Sequence, residues 1–95
     1  MKRKDVLSIL KKHEMEIQSR FRVAKIGLFG SFARNEAKPE SDIDILVEFD
    51  QISFDNYMDL KFYLEDIFKT SIDLVMKDTI KPRLRPYILK ELVYA

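Results

Sequence analysis

The sequence predicts an α/β (α+β) fold: a small mixed β-sheet of about three strands, packed by helices. Three observations carry this expectation. Ile43, Ile45, Val47 and Phe49 alternate with Asp42, Asp44, Leu46 and Glu48, the period of a half-buried strand. Helical spacing of apolar residues appears on either side of that strand, in Lys4–Arg20 and in Phe54–Phe68. The two strand-to-strand connections also differ in kind. The first is short and suits an antiparallel pair, whereas the second contains a helix, as a parallel crossover requires.

Taken in order, Lys4 to about Arg20 reads as one amphipathic helix. Its stripe is Leu7, Leu10, Glu14, Ile17 and Phe21, with Val6 and Met15 at the edges. His13 lies among Lys11, Lys12 and Glu14 and is read as a surface residue without a role. Val23–Phe29 is the first strand, with Ile26 and Leu28 on one face and Lys25, Gly27 and Phe29 on the other. Phe32–Ala37 is expected to be a short helix, ended by the loop Lys38-Pro39-Glu40-Ser41. After the second strand comes the helix Phe54–Phe68, presenting Tyr57, Leu60, Leu64 and Ile67. Its many aromatic residues read as a core and interface stripe. Ile72–Met76 is the third strand, and a last helix is expected from Pro86, burying Ile88, Leu89 and Leu92.

Composition narrows the function. The 95 residues carry a net charge of +1, so neither a general polyanion-binding surface nor direct nucleic-acid binding is expected. There is no cysteine, which excludes a disulfide framework and a zinc-thiolate site. No apolar run reaches the ~18 residues needed to cross a bilayer. The basic N-terminus lacks the apolar core of a signal peptide, so a cytoplasmic protein is expected. No repeat or linker divides residues 1–95, and one domain is expected.

The chemistry is concentrated at two places. Gly30 and Ser31 end the first strand. Glycine allows a sharp turn or a close approach to a ligand, and serine is a favoured helix N-cap, where free N–H groups attract phosphate. After ten intervening residues, Asp42 and Asp44 open the second strand and point the same way. They lie about 6 to 7 Å apart along the chain, so they repel unless a cation sits between them. Hard oxygen ligands of this kind suit Mg2+. Taken singly, a Gly-Ser pair also serves an ordinary turn, and Asp-x-Asp an ordinary solvated strand face. Together they point to phosphoryl or nucleotidyl transfer. If the third strand runs parallel to the second, Asp73 joins Asp42 and Asp44 at one end of the sheet; an exposed strand end is the alternative explanation for Asp73. Arg34 is placed to reach a triphosphate, or it is a plain surface residue.

At these residues the sequence resembles the nucleotidyltransferase superfamily that includes DNA polymerase beta. More closely, it resembles the minimal nucleotidyltransferase (MNT-domain) proteins. Their pattern is Gly-Ser, ten residues, Asp-x-Asp and a later third aspartate, matched here by Gly30, Ser31, Asp42, Asp44 and Asp73. Ala33-Arg34 and Glu36-Ala37 also fit, while Asn35 stands where many members have glycine. The resemblance spans Val23–Met76, and the tail Lys81-Pro82-Arg83 through Glu91-Leu92-Val93-Tyr94 is similar to small MNT proteins.

The resemblance implies a nucleotidyltransferase fold, ATP as donor and a pair of Mg2+ ions. It places the donor's terminal phosphates on Gly30 and Ser31 and both metals on Asp42 and Asp44. Asp73 would ligate the metal nearer the acceptor and activate the acceptor hydroxyl. It further implies an antitoxin whose partner is a HEPN-domain ribonuclease toxin, silenced by adenylylation of a tyrosine within a hetero-oligomer. Larger relatives carry acceptor-binding domains that this chain does not include, so the partner is expected to bring its own surface. Arg83 and Arg85 are candidates for contacting it, or ordinary surface charges. Two other readings stay open: an antitoxin that neutralises by binding alone over a vestigial nucleotide site, and transfer to a small molecule or RNA end.

Overall fold

The computed structural model describes residues 1–95. Two helices, α1 (Arg3–Lys12) and α2 (Glu14–Phe21), stand where the spacing predicts one. The break is at His13, whose backbone (φ −100°, ψ 10°) ends the first helix and begins the second. No proline or glycine causes it. Instead, the His13 ring nitrogen Nδ1 lies 2.9 Å from the Ile9 carbonyl oxygen, which also accepts from the His13 N–H at 3.2 Å. The Ile9 carbonyl is thus shared between its ladder bond and the ring at the residue where the two helices meet. The ring packs edge-on against Tyr63, with 6.0 Å between centroids, so His13 is a half-buried joint rather than the idle surface residue expected from sequence. Val6, Leu10, Ile17 and Phe21 are buried, whereas Met15 is exposed and Leu7 only half-buried.

Four strands follow, one more than the three expected. They are β1 (Val23–Phe29), β2 (Ile43–Phe49), β3 (Ile72–Met76) and β4 (Val93–Tyr94), in the sheet order β3-β2-β1-β4. β1 and β2 are antiparallel and β2 and β3 parallel, as the two connections predict. The crossover helix, α4 (Phe54–Phe68), has the predicted bounds. Ser53 caps it, its hydroxyl accepting the Asn56 N–H at 3.0 Å. The Tyr57 hydroxyl donates to the Leu74 carbonyl at 2.6 Å and ties the helix to the strand it feeds.

One sheet face carries Ile26, Leu28, Ile43, Ile45, Val47, Ile72 and Leu74, packed against the buried residues of α1 and α2 and against Leu60, Leu64 and Phe68 of α4. That face is the main core. The opposite face has a small cluster of Phe29, Leu46 and Ile80, with Val75, Ile88 and Leu92 leaning on it. The helix α5 (Arg85–Glu91) covers this second face, and Pro86 lies in its first turn as expected. Ile88, Leu89 and Leu92 are half-buried rather than buried, because α5 is a single short helix over one corner of the sheet. β4 escapes sequence detection because two residues are too few to display an alternation. Its seat is visible at Gly27, where a Cβ would come within 2.8 Å of Leu92 Cδ1 and 3.1 Å of the Val93 carbonyl. No helix is long and apolar enough to cross a membrane.

Candidate active site

Strand register assembles the site. Phe29, the last residue of β1, lies opposite Asp44 of β2, so the chain leaves β1 at Gly30 directly beside that carboxylate. In the parallel pair, Asp44 lies opposite Asp73. Adjacent strands are about 4.8 Å apart and facing pairs share a sheet face, so the two carboxylates are neighbours. Asp42 stands two residues before Asp44, ahead of the strand, and points to the same side. Asp73 thus shares the end of the sheet with Asp42 and Asp44, on the face away from the main core.

The crowding is visible in the proton affinity of Asp44. This half-buried carboxyl is pushed from 3.8 up to about 6, first by burial and then by the negative charge of Asp73. A hydrogen bond to Asp73, available only to the protonated form, and the charges of Asp42 and Glu91 act in the same direction. Asp42 and Asp73 themselves are exposed.

The turn after β1 differs in detail from the prediction. The expected helix, Phe32–Ala37, is instead α3 (Gly30–Ala33), starting two residues earlier and stopping sooner. Ser31 therefore does not cap it; the capping position belongs to Phe29, and no side chain bonds there. The reason is the backbone of Gly30. Its left-handed φ of +73° turns the chain at once, so the helix begins on the glycine itself. A Cβ at Gly30 would collide with the Asp44 carboxylate, whose Cγ would lie only 2.8 Å away. Asn35 takes a left-handed φ of 57° and lets the chain leave α3 through a turn, with the Glu36 N–H donating to the Ser31 carbonyl at 2.8 Å.

Sequence reasoning assigned no role to Glu91, at the end of α5. Its Oε1 accepts the Gly30 N–H at 2.9 Å, and its Oε2 accepts Arg34 Nη1 at 2.8 Å. Arg34 is accordingly not an idle surface residue. Its guanidinium is shared between Glu91 and, at 3.5 Å, Glu36 Oε2. Glu91 is 61 residues from Gly30 in the chain, and no local pattern announces the contact. Of the two tail arginines, Arg83 is exposed, while Arg85 donates to the Lys77 carbonyl at 3.3 Å and fastens α5 to the single 3-10 turn Lys77–Thr79.

The donor set is carboxylate oxygen only, without sulfur or imidazole, which suits a hard cation. No group of three or more such side chains is arranged to hold a metal ion by itself. This is compatible with Mg2+, which is usually held by one or two carboxylates together with waters and substrate phosphates. Asp44 has a raised proton affinity first because it is half-buried and then because Asp73 is negative, and a cation bound beside it would lower that affinity.

Comparisons with known proteins agree with this geometry. The profile of the family described as "Nucleotidyltransferase domain" matches residues 10–95. The protein adenylyltransferase MntA of Thermococcus cleftensis is 44% identical over 91 residues, covering 95% of this chain and 92% of that protein. A solved structure described as a minimal nucleotidyltransferase superimposes with a TM-score of 0.81 at 30% identity, covering 98% of this chain and 95% of that one. The complex of tri-AMPylated Shewanella oneidensis HEPN toxin with MNT antitoxin contains a chain of the same fold, with a TM-score of 0.65 at 18% identity, covering 93% of this chain and 70% of that one.

Proposed function

Since this chain belongs to the nucleotidyltransferase domain family and is a protein adenylyltransferase like its curated relative, we propose that it is an ATP- and Mg2+-dependent antitoxin that transfers AMP to a tyrosine of a partner HEPN-domain ribonuclease toxin. The observation that carries the reading is the register of the sheet end, where Gly30, Asp44 and Asp73 are brought side by side. The partner assignment draws on the toxin-antitoxin complex that shares this fold. The reaction takes place in the cytoplasm, within a hetero-oligomer.

In this proposal the phosphates of ATP lie against the Gly30–Ser31 turn within reach of the Arg34 guanidinium. Asp42, Asp44 and Asp73 would hold a pair of Mg2+ ions, which when bound neutralise the phosphate oxygens and stabilise charge in the transition state. The tyrosine oxygen forms a bond to the α-phosphorus as the bond to the β-phosphate oxygen breaks, and pyrophosphate leaves with that electron pair. Asp73, exposed at the edge of the site, receives the tyrosine proton as general base. The half-buried Asp44 is the better placed of the three to stay fixed and orient the others.

The test uses the full chain, ATP, Mg2+ and the protein encoded by the adjacent gene. Mass spectrometry should find AMP on a tyrosine of the neighbour, and the double variant Asp42→Asn with Asp44→Asn should leave the neighbour unmodified. If the double variant still silences the toxin in an intact complex, the protein neutralises by binding alone.

A further inference from the structure

Glu91 makes a contact that the proposed reaction does not use and that stands in its way. One carboxylate bridges a backbone N–H and a guanidinium, Oε1 to Gly30 at 2.9 Å and Oε2 to Arg34 Nη1 at 2.8 Å. This is how an oxyanion with several acceptor oxygens is held, by charge-assisted bonds to fixed donors. The two donors are also those that the nucleotidyl-transfer reading assigns to the triphosphate. Glu91 therefore sits where phosphate oxygens belong.

The backbone around Glu91 is anchored on both sides. Ile88 and Leu92 lean on the cluster of Phe29, Leu46 and Ile80, and the next residues pair with β1, Val93 opposite Leu28 and Tyr94 opposite Gly27. The side chain is 24% exposed and has a path to solvent. Turning the Glu91 side chain outward would free both donors without breaking the pairing of β4 with β1.

We propose that Glu91 is a built-in occupant of the phosphate cradle: it holds the Gly30 N–H and Arg34 in their binding arrangement and swings out when a nucleotide's phosphates replace it. This inference rests on the nucleotidyl-transfer reading. Displacing an anion of one charge favours ligands that bring a polyphosphate and a cation. Nucleoside monophosphates are poor competitors by the same argument.

The experiment is calorimetric titration of the full chain and of two variants, Glu91→Gln and Glu91→Ala, with Mg2+ and a non-hydrolysable ATP analogue. Removing a competitor tied by one half-exposed ion pair should tighten binding about three- to tenfold in both variants. The Gly30 amide resonance should move in wild type on addition of the analogue, as its partner changes. Unchanged or weaker binding in both variants overturns the inference while wild-type binding leaves nucleotidyl transfer standing; weaker binding makes Glu91 a support for the ligand. If neither wild type nor variants bind the analogue, the reading of the site fails and this inference with it.

Discussion

Replacing Asp44 by asparagine should stabilise the ligand-free protein at neutral pH while abolishing transfer. Asp44 is pushed from 3.8 up to about 6, burial being the largest cause and the Asp73 charge the next. A carboxyl whose pKa is higher in the folded than in the unfolded state favours folding while it is protonated. That contribution is complete below about pH 4 and is lost as the pH rises through about 6. A shift of roughly 2 units corresponds to about 3 kcal/mol. Because Asp44 is only half-buried, solvent screening reduces this to about 1–2 kcal/mol. The amide has the same shape and can donate a hydrogen bond to Asp73, as the protonated acid does, but it carries no charge to repel. Urea denaturation of the two chains across this pH range isolates the effect, since every other group titrates in both. The variant should gain about 1–2 kcal/mol above pH 7, or roughly 5–10 °C in Tm for a domain of this size, and nothing near pH 4. Equal stability at neutral pH, or a gain that persists undiminished into acid, would refute the reasoning.

Two glycine substitutions test how the site is seated. Gly30→Ala imposes a side chain at φ +73° and drives its Cβ into the Asp44 carboxylate. It should cost about 2 kcal/mol or more in chemical denaturation and abolish AMP transfer, and a variant of unchanged stability would contradict the contact. Gly27→Val places its Cβ against Leu92 and the Val93 carbonyl and should unpair β4. Hydrogen exchange should then accelerate at the Ala95 amide, now bonded to the Ile26 carbonyl at 3.0 Å, and stay slow in β2 and β3. Unaltered protection of Ala95 would count against β4 depending on that glycine.

The differences between the sequence reading and the structure have a common cause. α4 and β3 were legible to the residue because each carries its own periodicity, and a period is a local property of the chain. The convergence of Asp44 and Asp73 was legible too, because a short connection and a helical crossover leave few arrangements of the strands. The helix break at His13 was not legible, because the apolar stripe runs on across it and the contact its ring makes is with Tyr63, distant in the chain. Ser31 has the right identity for a cap, but the left-handed Gly30 before it moved the helix start.

By itself the sequence determined three of the four strands, their directions and the carboxylates they carry, since alternation and connection length act between near neighbours. Only the tertiary structure decided that Glu91 lies on Gly30 and Arg34, that β4 closes the sheet's edge and that Asp44 is crowded enough to hold its proton toward pH 6. Those are energies between groups distant in the chain, and they exist only when packing has brought the groups within hydrogen-bond or Coulomb range.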